Sequence, residues 1–323
     1  MVKQKKHIRS IVWWIGIFFV CILLWMLGWM LGRWVYSSTT NIVSSDYEMG
    51  ERKRQAPFRE GLDNNTSPPK CGIIFLAKNP VDFPKWLKHH RDLGIQHFFV
   101  RMEDSDGWED FLKSQKDIIY ELGKTGTENY HTLQQRQSEF VDKMIPIARD
   151  KGLDWVFHID TDELLEGDIG ILNSFDKNIK WARIENAEAV FDGTEPTCFD
   201  AKRFLKCKLG AKCRSYANGK GVARTEEGVS AHGPHEFKYD GKGENTNAEI
   251  PFDTLHVLHF ESCSFGAWAE KYKNLAGSSS KKEIPFPFYN ESIRAAKQAY
   301  ELYQKSVMPD TSSYDTEDIY EKK

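Results

Sequence analysis

Asp160 and Asp162 stand two residues apart, directly after the apolar run Trp155-Val156-Phe157-His158-Ile159. Two carboxylates at that spacing, where a strand gives way to a turn, can converge on one hard cation. Mg²⁺ or Mn²⁺ favours such oxygen ligands together with the phosphates of a substrate. An acidic pair at a loop end is commonly just a solvated turn. What singles this one out is the apolar strand before it and the return to Glu163-Leu164-Leu165 after it. His256 and His259 lie in a later apolar run, and strand alternation puts them on opposite faces. His259, beside Phe260, reads as a hydrogen-bonded core residue. Ser215-Tyr216-Ala217-Asn218-Gly219-Lys220-Gly221 brings glycines to a lysine but lacks Gly-x-x-x-x-Gly-Lys-Ser/Thr, so it is no P-loop. His232 and His235, in Ala231-His232-Gly233-Pro234-His235-Glu236-Phe237, read most simply as part of a structured turn.

The elements that must position these residues begin at Cys71. Gly72-Ile73-Ile74-Phe75-Leu76-Ala77 has the length and apolar continuity of a buried parallel strand. Pro84 sits in the first turn of an amphipathic stretch that Gly94 closes, and His97-Phe98-Phe99-Val100 supplies the next strand. A weaker strand is expected at Ile118-Ile119-Tyr120. A long helix follows over 132–150, with Leu133, Phe140, Val141, Met144 and Ala148 on one side, Pro146 bending it and Gly152 ending it. Further strands are expected at 155–159 and 255–260, with the run Ala187-Glu188-Ala189-Val190-Phe191 and a Gly-, Lys- and Cys-rich region between them and a closing helix at 265–275. Alternating strands and helices imply an α/β fold with a mostly parallel sheet covered on both faces, and ligands then sit at the carboxyl ends of the strands. Asp160 falls at such an end.

Outside that domain, residues 11–32 carry no charge and are long enough to span a bilayer as one helix, with Trp13, Trp14, Trp29 and Trp34 near its ends. Lys3, Lys5, Lys6 and Arg9 before it favour a cytoplasmic N-terminus, although Arg33 and Arg52-Lys53-Arg54 weaken the charge asymmetry. A cleaved signal peptide would have a shorter apolar core. The expected layout is a cytoplasmic tail over 1–10, a transmembrane signal anchor over 11–36, a polar stem over 37–70, a luminal domain over 71–305 and an acidic, flexible tail over 306–323. Asn64, Asn65 and Asn290 head N-glycosylation sequons. Cys71, Cys198, Cys207, Cys213 and Cys263 would face an oxidising lumen, where an odd number leaves one unpaired. For Cys198, Cys207 and Cys213 a local disulfide is favoured over zinc, because no C-x-x-C pair is present. With 44 basic and 47 acidic side chains the net charge is −3, which argues against nucleic acid as a partner.

The segment Trp155-Val156-Phe157-His158-Ile159-Asp160-Thr161-Asp162-Glu163-Leu164-Leu165 resembles the strand and metal motif of GT-A fold glycosyltransferases, particularly the family 2-like and family 92-like groups. Ile74-Phe75-Leu76-Ala77-Lys78-Asn79, Trp86-Leu87-Lys88-His89-His90, the run 93–100 and Glu103-Asp104-Ser105 are similar to the opening of that fold. Leu258-His259-Phe260-Glu261-Ser262, with Trp268 and Lys271, is similar to its closing segment. Asn79-Pro80 departs from the Asn-Glu usual in those groups. The resemblance implies a Rossmann-like sheet flanked by helices and a nucleotide-sugar donor contacted by Lys78, Asp104, Asp160, Thr161 and Asp162. Lys78 and Asp104 would lie near base and ribose. It further implies Mn²⁺ (or Mg²⁺) held by Asp160, Asp162 and His259, with His256 a rival to His259 as ligand, a glycan or glycoprotein acceptor, an inverting transfer and a single-pass type II Golgi enzyme. An inverting transfer needs a carboxylate as base. Glu195, in Asp192-Gly193-Thr194-Glu195-Pro196, is the candidate, with a plain surface turn as the simpler reading. A tethered glycan-binding protein without turnover and a metal-dependent phosphoester hydrolase are the alternatives.

Overall fold

The computed structural model describes residues 67–125, 130–191, 193, 195–207, 213, 215–241, 247–264, 266, 268 and 319–321. In chain order the elements are β1 (Cys71–Ala77), α1 (Phe83–Asp92), β2 (Ile95–Glu103), α2 (Glu109–Ser114), β3 (Ile118–Gly123), α3 (Tyr130–Asp150), β4 (Trp155–His158) and β5 (Glu163–Gly167). They continue with β6 (Trp181–Ile184), β7 (Asn186–Val190), β8 (Arg203–Cys207), β9 (Lys220–Arg224), β10 (Val229–His232), β11 (Glu236–Tyr239), β12 (Asn247–Ile250), β13 (Leu255–His259) and β14 (Ile319–Glu321).

The fold is mixed α/β with a parallel-rich central sheet of order β12-β6-β9-β4-β1-β2-β3. Strands β4, β1, β2 and β3 run parallel, so their carboxyl ends share one edge. Strand β9 joins antiparallel to both β4 and β6, and β12 lies parallel to β6. Every residue of β1 is buried, and its side chains divide by alternation. Ile73, Phe75 and Ala77 pack with Phe83, Trp86 and Leu87 of α1, whereas Ile74 and Leu76 pack with Phe140, Val141, Met144 and Ala148 of α3. The two helices therefore cover opposite faces. Pro84 opens α1, and Gly94 follows its end at φ 103°, a backbone that favours glycine. Helix α3 runs unbroken past Pro146. It closes in a paired cap, Gly152 N–H to Arg149 O at 2.8 Å and Leu153 N–H to Ala148 O at 3.1 Å, with Gly152 at φ 75°.

A second sheet, of order β14-β8-β7-β13-β5, was not foreseen from the sequence. Only its β7–β13 pairing is parallel, so the chain is less uniformly parallel than expected. Within the stretch expected to be a loose tail, Ile319–Glu321 pairs antiparallel with β8. Cys198 is bonded to Cys263 and Cys207 to Cys213, and Cys71 is free and buried. Of these bridges only the second is the local staple expected; the partner of Cys198 lies 65 residues away. Among the described residues no helix is long and apolar enough to cross a membrane. The stretch 11–32, residues 37–66 of the expected stem, the sequon asparagines and most of the expected closing helix lie outside them.

Candidate active site

The acidic motif does not continue β4 as a strand. Glu163 N–H donates to Asp160 O at 3.2 Å, and the Glu163 carboxylate accepts from Asp160 N–H at 2.7 Å, which closes a turn over Asp160–Glu163. Strand β5 then leaves antiparallel to β13, with Glu163 opposite His259, and Phe260 N–H donates to Asp162 O at 2.8 Å. That ladder sets Asp162 beside the end of β13. Helix α1 locks the other side of the turn. The Trp86 indole donates to Glu163 O at 2.6 Å, and the His89 ring meets Leu165 O at 2.6 Å. Leu165 N–H can only donate, so His90 Nε2 accepts from it at 3.1 Å and Nδ1–H donates to Trp86 O at 2.9 Å. Burial, and then the neighbouring His89, keep the His90 pKa well below the ordinary imidazole value, which suits this neutral form.

The two carboxylates of the motif have different surroundings. Asp162 lies with His259 and Glu261, one donor atom from each falling within 4.8 Å of the others. His259 Nε2 is 3.8 Å from Asp162 Oδ2 and 3.4 Å from Glu261 Oε2, while its Nδ1 is 3.8 Å from Glu188 Oε1. Burial opposes charge on His259, but Asp162 and the carboxylates of Glu188 and Glu261 prevail and hold its pKa well above the usual value. Asp160 instead receives the Lys220 ammonium at 2.5 Å on Oδ2 and the Gln137 amide at 3.2 Å on Oδ1. Lys220 also reaches Glu163 Oε2 at 3.1 Å, and the Tyr216 hydroxyl donates to Glu163 Oε1. Burial lowers the Lys220 pKa less than Asp160 and Glu163 raise it, so the ammonium persists. Burial likewise works to raise the Asp160 pKa, and Lys220 overrides it.

The donor set at Asp162, two carboxylates and an imidazole, suits Mn²⁺ or Mg²⁺ better than a thiolate-seeking ion. Its nitrogen–oxygen separations, 3.4 and 3.8 Å, are longer than the usual hydrogen-bond distance. They match the roughly 3–4 Å between donors that each sit about 2.1 Å from one cation. Asp162, His259 and Glu261 therefore fit a divalent ion. His256 is turned away, its ring stacked on Phe252 at 4.2 Å and its Nδ1 against Phe252 O at 2.9 Å.

No protein-family model matches the chain, and no curated protein matches it in sequence. Among solved structures it is similar to the mannosyltransferase PcManGT from Pyrobaculum calidifontis, determined in complex with GDP-Man and Mn²⁺. The identity is 9%, over 76% of this chain and 73% of that one, with a TM-score of 0.34. A likeness that slight bears no weight for the site, which rests on its own geometry.

The remaining expected residues divide in the same way. Lys78 and Asp104 come together at the ends of β1 and β2, with Lys78 Nζ 3.2 Å from Asp104 Oδ2 and 3.3 Å from Thr125 Oγ1. Asn79 and Asp104 hold φ values of 46° and 43°, a left-handed backbone that Asn and Asp tolerate and that recurs at functional sites. Thr161 lies in the turn between the two acids. The Glu195 carboxylate accepts from Gly193 N–H at 2.9 Å, which closes its own loop. This is the surface-turn role. Sequence reasoning assigned no role to Gln137, Tyr216, Lys220, Glu188 or Glu261. A signal for Glu261 existed: it stands two residues after His259, the spacing that shares a face along an extended chain.

Proposed function

We propose that the chain is a metal-dependent glycosyltransferase, moving a sugar from a nucleotide-sugar donor to a glycan or glycoprotein acceptor. The observation that carries this reading is the convergence of Asp162, His259 and Glu261 at the carboxyl-end edge of a parallel sheet whose neighbouring strands end in Lys78 and Asp104. A bound Mn²⁺ or Mg²⁺ supplies Lewis acidity to the departing nucleoside diphosphate. The chain's own groups do the positioning. Asp162, His259 and Glu261 hold the ion, while Asp104 accepts from hydroxyl or N–H groups of the nucleoside and Lys78 donates to its oxygens. Thr161 lies between these sets in the donor-facing turn. The transfer is read as inverting, with an acceptor-side carboxylate taking the hydroxyl proton.

The chain is placed in a Golgi or related secretory membrane as a single-pass type II protein with its catalytic domain in the lumen. The uncharged run 11–32 and two disulfides support this setting.

The test incubates the full-length protein, purified in detergent, with a panel of nucleotide sugars and Mn²⁺, and measures nucleoside diphosphate release with and without glycan acceptors. Acceptor-stimulated release that disappears in Asp162→Asn is expected. Glycan binding with no turnover in any combination, or phosphoester cleavage indifferent to acceptor, overturns the reading.

A further inference from the structure

We propose that Lys220 is a positioning residue that keeps Asp160 out of the metal's coordination shell, so that the ion is carried by Asp162, His259 and Glu261. The inference deepens the reading above and rests on its metal site.

The argument starts in Ser215–Gly221, the glycine- and lysine-bearing stretch that is no P-loop. Gly219 holds φ +69°, and a Cβ there would stand 2.1 Å from Ile184 O, so this approach of the backbone to β6 requires glycine. The bend delivers Lys220 as the first residue of β9, in register with Ile184. The Lys220 side chain is 1% exposed, and its ammonium is enclosed by Asp160, Glu163 and, 5.6 Å away, the Tyr216 ring. Asp160 is thereby occupied on both oxygens, by Lys220 and by Gln137.

The turn explains how two acids two residues apart separate. In a strand they would share a face, but the bonds between Asp160 and Glu163 bend the backbone and give Asp160 and Asp162 different partners. Electrostatics then keeps them separate. A divalent ion drawn onto Asp160 would bring two positive charges against an ammonium already shielded from water, where repulsion is far stronger than at the surface. Asp162 lies instead beside a further carboxylate and an imidazole that can give up its proton to a metal.

The experiment measures Mn²⁺ affinity of the full-length protein in detergent, without nucleotide, from the electron paramagnetic resonance signal of free Mn²⁺. Asp160→Asn keeps an acceptor for Lys220 and is expected to change the Kd less than about threefold, whereas Asp162→Asn and Glu261→Gln raise it at least about tenfold. Lys220→Met should release Asp160 to the ion. In that background Asp160→Asn is expected to weaken binding about tenfold, a coupling that a purely structural role would not produce. Lys220→Arg should retain the wild-type pattern. If Lys220→Met does not fold, Asp160→Asn against Asp162→Asn decides alone. Equal weakening by these two substitutions, with Mn²⁺ bound by the wild type, overturns the role of Lys220 and leaves the metal reading standing. A wild type that binds no Mn²⁺ overturns both.

Discussion

Lys78 and Asp104, at the ends of β1 and β2, form an ion pair whose side chains are 40% and 31% exposed, whereas Lys220 and Glu163 form one in which each is 1% exposed. An exposed pair contributes about 0–1 kcal/mol, but removing one partner of a buried pair costs about 3–5 kcal/mol because the other charge is left stranded. The sheet edge thus carries charges that a ligand can recruit at little cost, while the interior behind the acidic turn carries charges that fix geometry. A donor site needs both: partners that exchange, and a frame that does not.

The contrast breaks most directly at Lys220. Lys220→Met is expected to lower stability by about 3–5 kcal/mol in urea unfolding, and a loss below about 1 kcal/mol would put this pair in the same class as the exposed one. Trp86→Phe tests the frame from the helix side. It leaves Glu163 O without its indole donor, at an expected cost of about 1–3 kcal/mol by the same measurement. His90 makes the frame sensitive to acid. Its folded pKa is depressed, so the unfolded chain takes up the proton first, and stability is complete above the unfolded value of about 6.5 and falls as pH drops below it, by up to about 1.4 kcal/mol per unit. Urea titrations at stepped pH should show that slope, reduced in His90→Gln. The smallest stability effect belongs to the sheet edge. Lys78→Gln should change stability by less than about 1 kcal/mol. Its effect should appear instead as a donor KM raised about tenfold, which steady-state kinetics reads.

The same division explains what the sequence disclosed. Strands β1, β2 and β4 and helix α1 were legible because their signals are local: unbroken apolar runs, Pro84 at a helix start, Gly94 at its end. Asp160 and Asp162 fall just past the end of β4 as expected, but the different neighbours that the turn gives them were not legible. Lys220 lies 60 residues from Asp160 in the chain, and nothing in Asn218-Gly219-Lys220-Gly221 announces a buried ion pair. The second sheet was hidden for the same reason. Its strands are short, and β13 pairs with β5 and β7 across long stretches of sequence. His259 was separable from His256 by alternation only once β13 had a partner to face.

The central claim is that the group at Asp162 holds the ion on which sugar transfer depends, and His259 tests it most directly. Acceptor-stimulated release of nucleoside diphosphate should require Mn²⁺ or Mg²⁺, stop with a chelator and return when the ion is restored. In His259→Ala it should fall by about 100-fold or more at the same ion concentration. Release that persists with the chelator, or that His259→Ala leaves unchanged, would contradict the account.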